Sequence, residues 1–275
     1  SWQFGGKVAS ALTAIGQLGA SGSMIGMVGA DFYGECIIRD FERYNIDTSH
    51  ILQDGTSAFS LVLSDEVTHG RNIIFEMPKG RKYGVEDIDE AFVAQHKILH
   101  LENADAVSHR LADIMHQAGG IVTVDGDGYS DEMQAMMPKF DVFIGSEFGE
   151  SEDFESNLEK VRKMGPKIAV FTLGDRGSVV KWDGGFYFAP GYKVKVVDTV
   201  GAGDVYHGAY IYALLQNMRP DEAAQFSNAV SSIKCTAIGG RAGVPNREMV
   251  DSYMKTGEYD RTLIEEKLAR YKILA

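Results

Sequence analysis

The stretch DTVGAGDVYHGAY, residues 198–210, joins a run of small residues to the expected start of a helix. Small residues at 201–203 let the main chain approach a ligand closely. The unpaired N–H groups and positive dipole end of the helix favour an anion, above all a phosphate. A plain glycine turn with Asp204 as helix N-cap explains the spacing equally well. The phosphate interpretation also gives Asp204 a task, because a carboxylate beside a phosphate is repelled unless it accepts a proton from an attacking hydroxyl.

On the N-terminal side of this stretch, short apolar strands alternate with amphipathic helices. The predicted strands are 98–101, 121–124, 142–144 and 167–172, and the predicted helices between and beside them are 108–117, 131–137 and 153–164. This alternation is typical of a parallel sheet with helices on both faces. We therefore expect an α/β fold with three layers, α-β-α, around a mainly parallel central sheet.

The remaining elements complete this expectation. Further helices are predicted at 7–18, 32–44, 204–216 and 221–236, a strand at 23–28, and antiparallel strands within 177–197 around a turn at 183–185. Alternating residues at 58–64 and 72–77 indicate a β-hairpin, so we expect a small β lid at 54–78 within a single domain spanning 1–275. The charged tail at 258–272 is predicted to be a solvated helix face.

Composition excludes several classes of protein. The chain has 275 residues and a net charge of −12, from 27 Lys and Arg against 39 Asp and Glu, which argues against a nucleic-acid partner. No apolar run approaches the roughly 20 residues of a membrane span, so we expect no membrane partner. Cys36 and Cys235 are too far apart in sequence to indicate a disulfide framework. A reducing, cytoplasmic location is therefore expected.

The glycine stretch closely resembles the second signature of the ribokinase-like (PfkB) family of carbohydrate kinases, at every position. The resemblance implies that Asp204 is the catalytic base. It also implies that the main-chain amides of Gly201, Ala202 and Gly203 form the anion hole for the transferred phosphoryl group. ATP and Mg²⁺ are the expected cofactors.

Two other segments resemble the part of this family that binds the sugar. The sequence GGKVAS at 5–10 resembles the first signature, which implies sugar contacts from Gly5, Gly6, Lys7 and Ser10. Ser10 stands where the family has asparagine. Glu102 follows a strand and resembles the glutamate that meets the sugar, although a solvated loop carboxylate is the alternative. Asp125 and Asp127 end the next strand and are better explained as solvated acids.

Three segments resemble the nucleotide side of the family. The turn TLGDRG at 172–177 implies ATP contacts from Thr172, Gly174 and Gly177. Asn228 matches a position that lines the adenine pocket, with a surface amide as the alternative. The loop AIGGRAGVP at 237–245 resembles the closing loop of the nucleotide site and includes Gly239. In many members carbonyls of this loop and of Asp198 and Val200 hold a monovalent cation, so K⁺ is a further possible cofactor.

One family motif is degraded. Where the family has Asn-x-x-Glu, the sequence is GSEFGE at 145–150. Direct alignment gives Ser146 and Gly149, whereas a shift by one residue gives Glu147 and Glu150. Glu150 is therefore the candidate for an outer-shell role at Mg²⁺.

The expected function is an ATP-dependent sugar kinase that phosphorylates a primary hydroxyl of a small sugar, for example a ketose such as fructose. Alternatives are a nucleoside kinase of the same fold and a non-catalytic sugar- or nucleotide-binding regulator. A homodimer through the β lid is expected as well. Members of the family carry a strand before the Gly5-Gly6 pair, so we also expect that the natural N-terminus precedes Ser1.

Overall fold

The computed structural model describes residues 3–64, 71–126, 130–146 and 153–273. The candidates Asp127, Glu147, Gly149 and Glu150 lie outside the described residues. The chain divides into two compact units, one formed by residues 21–84 and the other by the residues up to Ala20 together with those from Val85 onward. The smaller unit therefore contains more of the chain than the β lid predicted at 54–78.

The larger unit contains a six-stranded sheet in the order β10-β9-β8-β7-β6-β5. Its strands are β5 (Ile98–Leu101), β6 (Ile121–Asp125), β7 (Val142–Ser146), β8 (Ile168–Thr172), β9 (Gly177–Trp182) and β10 (Gly185–Pro190). Strands β5 to β8 are parallel, and β9 and β10 add antiparallel pairs at one edge. The predicted α/β class with a mainly parallel sheet is confirmed.

The larger unit also contains α-helices that come before, between and after these strands in the chain. They are α1 (Lys7–Gln17), α3 (Glu90–Val93), α4 (Ala106–Gln117), α5 (Asp131–Met136), α6 (Phe154–Lys163), α7 (Ala202–Leu215), α8 (Pro220–Lys234), α9 (Arg247–Thr256) and α10 (Thr262–Ile273). None of the helices in the described part of the chain is long and apolar enough to cross a membrane.

Both faces of the central sheet are buried. Val142, Ile144 and Val170 belong to one hydrophobic core together with residues of α1, α7 and α8. The residues that alternate with them, Phe143 and Phe171, are also fully buried. Since successive side chains of a strand point to opposite faces, apolar burial on both faces explains why these strands appear as continuous apolar runs.

The C-terminal helix corrects one expectation. The tail at 258–272 is not simply a solvated face, because Ile264, Lys267 and Tyr271 of α10 are buried. Their spacing places them on one side of the helix. The Lys267 ammonium donates to the side-chain oxygen of Gln17, 3.2 Å away, so a charged residue takes part in the packed face.

The smaller unit consists of β1 (Gly22–Val28), α2 (Phe32–Glu42), β2 (Ile46–Gln53), β3 (Phe59–Ser64) and β4 (Arg71–Glu76). Strands β1 and β2 form a separate parallel pair, and β3 and β4 form an antiparallel hairpin. Asp31 caps α2 through the N–H of Gly34 and also accepts from the N–H of Ser57, both at 2.8 Å. This carboxylate therefore fastens the helix to the segment that leads into the hairpin.

Candidate active site

The start of α7 brings Asp204 next to a glycine in a left-handed conformation. Gly201 is the N-cap residue with a φ of 72°, which favours glycine. A methyl group at this position would lie 3.3 Å from Cα of Gly240 and 3.7 Å from Oδ2 of Asp204. The carboxylate therefore lies in the first turn of α7 next to Gly201, and Gly201 in turn packs against Gly240 of the 237–245 loop.

The three amides expected to form the anion hole differ in their surroundings. Gly203 is exposed, and a methyl group there would meet no atom within 4 Å. The N–H of Ala202 instead donates to the carbonyl of Thr199 at 3.1 Å and closes the turn before the helix. An anion hole at Gly201 and Gly203 stays a prediction, and the Ala202 amide serves the turn in this structure.

Asp198 links the glycine loop to the 237–245 loop. Its carboxylate accepts hydrogen bonds from the N–H of Val200 at 2.9 Å and from the N–H of Gly239 at 2.8 Å. Its carbonyl accepts a hydrogen bond from Nζ of Lys234 at 3.0 Å. The sequence drew attention only to the carbonyls of Asp198 and Val200, whereas the side chain of Asp198 is what joins the two loops.

Gln3 holds the other side of the 237–245 loop. Its Oε1 accepts from the N–H groups of Arg241 and Ala242 at 3.0 and 3.1 Å, and its Nε2 donates to the carbonyl of Ile238 at 2.7 Å. A methyl group at Gly239, whose φ is 82°, would lie 2.2 Å from the side chain of Gln3. The predicted closing loop is thus pinned by a residue from the beginning of the chain.

The expected sugar side is built around the start of α1, where Gly6 is the N-cap residue with a φ of 93°. The main-chain N–H of Val8 donates to Oε2 of Glu102 at 3.2 Å, and Nζ of Lys7 lies 3.3 Å from Oδ1 of Asp125. A carboxylate at a helix N-terminus is stabilised by the helix dipole. Glu102 is therefore a half-buried, bonded group and not a solvated loop carboxylate.

Asp125 is not a solvated acid, contrary to the expectation. Its side chain is 2% exposed, because Lys7 provides a counter-charge at the carboxyl end of β6. Nδ1 of His207 lies 3.9 Å from its other oxygen, and His207 is itself buried, as a packed helical histidine should be. A polar residue at the end of a parallel strand was the signal for Asp125, and the lysine that buries it is distant in sequence.

His100 completes this polar cluster and was not predicted. Its Nδ1 is 2.9 Å from the hydroxyl of Thr123, and its ring centroid is 5.7 Å from that of His207. Burial, assisted by the neighbouring His207, lowers the pKa of His100 to about 3. The imidazole is therefore neutral at physiological pH.

Ser10 lies on α1 and is 2% exposed. Its hydroxyl is thus closed off from solvent in this structure. The sugar contact inferred for Ser10, and those for Gly5 and Gly6, stay predictions.

The predicted nucleotide turn follows β8, which ends at Thr172. Gly174 begins a short 3₁₀ turn with a φ of 62°, and a methyl group there would meet no atom within 4 Å. A methyl group at Gly177 would lie 2.2 Å from the carbonyl oxygen of Ala189 on β10. Gly174 therefore leaves room for close approach of a ligand, whereas close packing on β10 accounts for Gly177.

Asn228 is neither exposed nor a simple surface amide. It is 5% exposed, and its Nδ2 donates to the carbonyls of Ala189 at 2.9 Å and Pro190 at 3.3 Å. The side chain fastens α8 to the end of β10. Its assignment to the adenine pocket stays a prediction.

The candidate metal residue Glu150 lies outside the described residues. Within the described ranges, no group of three or more His, Cys, Asp or Glu residues is arranged to hold a metal ion. Mg²⁺ in kinases is usually bound by one or two carboxylates together with the phosphates of the nucleotide.

The family model described as "pfkB family carbohydrate kinase" matches residues 1–247. The chain belongs to the pfkB family. A ribokinase of Haemophilus influenzae is 25% identical to it over 89% of this chain and 85% of the relative. As a pfkB-family kinase, the protein is an ATP-dependent phosphotransferase, and the resemblance seen in its motifs is confirmed.

Solved structures agree with this fold. An Escherichia coli protein provisionally named ribokinase II, in complex with ATP and Mg²⁺, superimposes with a TM-score of 0.82 at 18% identity, covering 91% of this chain and 88% of that one. An adenosine kinase from Sinorhizobium meliloti gives a TM-score of 0.80 at 22% identity, covering 92% and 83%. At these identities the similarity establishes the ribokinase-like fold of this pfkB-family member.

Proposed function

We propose that this kinase transfers the γ-phosphate of ATP to a primary hydroxyl of a small sugar, a ketose such as fructose, with Asp204 as general base. The observation that carries the proposal is the position of Asp204 in the first turn of α7. Its Oδ2 is 3.7 Å from the point where a methyl group on Gly201 would lie. The helix start offers N–H groups and a positive dipole end to the phosphoryl group. A base directly beside it is placed to accept the proton of the attacking hydroxyl.

The proposed reaction is a single phosphoryl transfer in which every bond and proton is accounted for. The sugar oxygen attacks the γ-phosphorus, the bond from phosphorus to the leaving oxygen of ADP breaks, and the hydroxyl proton passes to the Asp204 carboxylate. The transition state is loose, so positioning and charge stabilisation contribute more than the strength of the base. Mg²⁺ accompanies ATP and neutralises the charge on its phosphates when bound.

The polar groups at the carboxyl ends of β5 and β6 support a sugar as acceptor. Glu102, Lys7 and Asp125 are connected to one another through the first turn of α1. Carboxylates and an ammonium can bond to several hydroxyls at once, which is what recognition of a small polyol requires.

A nucleoside kinase is the second candidate, and a different observation favours it. The rings of Tyr33 and Phe59 in the smaller unit are stacked, with centroids 6.3 Å apart, and both side chains are exposed. Exposed aromatic rings are the groups on which a nucleobase stacks.

A panel of sugars and nucleosides, each with ATP and Mg²⁺ and with ADP release as the readout, distinguishes the candidates. Asp204→Asn is the test of the base, and Asp131→Asn is its control, because Asp131 is an exposed acid in the first turn of α5. We expect Asp204→Asn to lower kcat by about 10²–10⁴-fold and Asp131→Asn to have no effect. Equal rates for wild type and Asp204→Asn would show that the base is misassigned. ATP binding without product across the panel would favour the regulator.

We also propose that the enzyme is a cytoplasmic homodimer joined through the β3–β4 hairpin. Leu61 and Ile74 are paired across this hairpin and are 49% and 58% exposed. Exposed apolar pairs of this kind mark interaction surfaces. Sedimentation of wild type against Leu61→Lys tests the dimer, which the lysine should dissociate. Both cysteines are buried and free, as suits a reducing compartment.

A further inference from the structure

Lys234, the last residue of α8, is fully buried. Lysine is almost never fully buried unless it is paired, because removing an ammonium from water is costly. Here Nζ donates to the main-chain carbonyl of Asp198 at 3.0 Å. A positive charge is thus held inside the protein, at the first residue of the glycine loop.

The surroundings of Lys234 supply its counter-charge. The Cys235 thiol feels both groups: burial raises its pKa, the charge of Asp198 adds to that effect, and the charge of Lys234 opposes it. The carbonyl that Lys234 holds belongs to Asp198 itself, so the ammonium lies beside the residue that carries an opposite charge. An internal ion is tolerated when an opposite charge and good hydrogen bonds accompany it.

The main chain at the end of α8 is fastened to the same loop. The carbonyl of Cys235 accepts from the N–H groups of Val197 at 2.8 Å and Asp198 at 3.1 Å. A methyl group at Gly243 would lie 2.1 Å from the carbonyl oxygen of Lys234, so the end of the 237–245 loop also packs closely there. Lys234 therefore contacts both loops, through its ammonium at Asp198 and through its main-chain carbonyl beside Gly243.

The resemblance to the family implies a monovalent cation on the carbonyls of Asp198 and Val200. The residues present do not fit such an ion at Asp198. The Asp198 carbonyl already accepts a hydrogen bond from an ammonium, and a second cation at this oxygen would be repelled by that charge in a poorly solvated site.

We propose that the Lys234 ammonium takes the place of the monovalent cation, so that this kinase needs no K⁺. The ammonium holds the carbonyl of Asp198, while the Asp198 carboxylate holds Val200 and Gly239. Together these bonds fix the turn that leads into Gly201 and Gly203. Lys234 is a positioning residue, and the inference rests on the proposed nucleotide site.

The test compares Mg·ATP binding by titration calorimetry in KCl and in tetramethylammonium chloride at equal ionic strength. The variants are Lys234→Ala, which leaves space for an ion, and Lys234→Met, which fills that space without a charge. Far-UV circular dichroism verifies that each variant is folded. Initial rates with the best acceptor of the panel are measured in the same two salts.

We expect the wild type to bind Mg·ATP equally in both salts. Lys234→Ala should bind about tenfold more weakly in tetramethylammonium and recover in K⁺, whereas Lys234→Met should stay weak in both. If a variant does not fold, the wild-type comparison still decides the question.

Two results would overturn the inference: stimulation of wild-type binding or rate by K⁺, or Lys234→Ala binding as tightly as wild type without K⁺. A wild type that binds Mg·ATP but phosphorylates no acceptor contradicts the proposed function alone. A wild type that binds no Mg·ATP in either salt contradicts both.

Discussion

Lys7 and Asp125 connect the first turn of α1 to the end of β6, with 3.3 Å between Nζ and Oδ1. The two partners differ in exposure, since the lysine side chain is 43% exposed and the carboxylate 2%. The buried acid therefore orients an ammonium that still reaches solvent. This is the arrangement needed to present one fixed charge to a polar acceptor.

Asp125→Asn should raise the acceptor KM about tenfold and leave the KM for ATP unchanged, because Lys7 loses the charge that orients it. Lys7→Met should have a similar effect. Since the two residues act as a pair, the double variant should be no worse than either single variant. Steady-state kinetics on all four proteins measures this, and additive losses would contradict a pairwise role.

Asn228→Ala should lower the free energy of unfolding by about 1–3 kcal/mol, because the buried carbonyl of Ala189 loses its donor. The control is Gln117→Ala, which removes an exposed amide at the end of α4 and should change stability by less than about 0.5 kcal/mol. Urea unfolding gives both values. A stable Asn228→Ala protein that binds ATP poorly would instead support a direct adenine contact.

His100 should make stability depend on pH. Its folded pKa of about 3 lies below the usual 6.5, so protons bind preferentially to the unfolded chain. The contribution is fully present above pH 6.5 and is lost progressively as the pH falls toward 3. The loss should reach about 2 kcal/mol at pH 5. Other groups of the protein also make its stability depend on pH. The measurement is therefore the difference in the free energy of unfolding between wild type and His100→Gln, from urea unfolding at pH 7, 6 and 5. Parallel curves for the two proteins would refute the assignment.

Gln3→Ala should raise the KM for ATP and leave the acceptor KM unchanged, because the 237–245 loop loses the bonds that pin Ile238, Arg241 and Ala242. Gln3→Glu offers a finer comparison. Glutamate can accept from Arg241 and Ala242 but cannot donate to Ile238, so an intermediate KM is expected. Equal KM values for all three proteins would separate this loop from nucleotide binding.

Apolar periodicity predicted the central sheet because strands β5 to β8 are buried on both faces. The same approach missed β2, Ile46–Gln53, whose sequence IDTSHILQ mixes polar and apolar residues and which, among the described strands, pairs with β1 alone. It also failed to find the packed face of α10, because Lys267 interrupts the apolar pattern that Ile264 and Tyr271 would otherwise show. Local sequence patterns therefore predict best the helices and strands whose buried residues are all apolar.

The residues of the candidate site also differ in how far the sequence could predict them. The proposed base Asp204 and the half-buried Glu102 could be found from motifs, because each is defined by its immediate neighbours along the chain. The buried state of Asp125 depends on Lys7, 118 positions away, and that of Lys234 on a carbonyl 36 positions away. Burial of a charge is decided by its partner in space, which a single sequence does not contain.

The bond between Gln3 and Ile238 also has a consequence for biosynthesis. The two residues are 235 positions apart, so the bond cannot form until Ile238 has left the ribosome. Until then Gln3 cannot hold the 237–245 loop. The arrangement in which Gln3 pins the 237–245 loop can therefore form only after synthesis has passed Ala242, so this loop gains its fixed shape late relative to the segment that holds it.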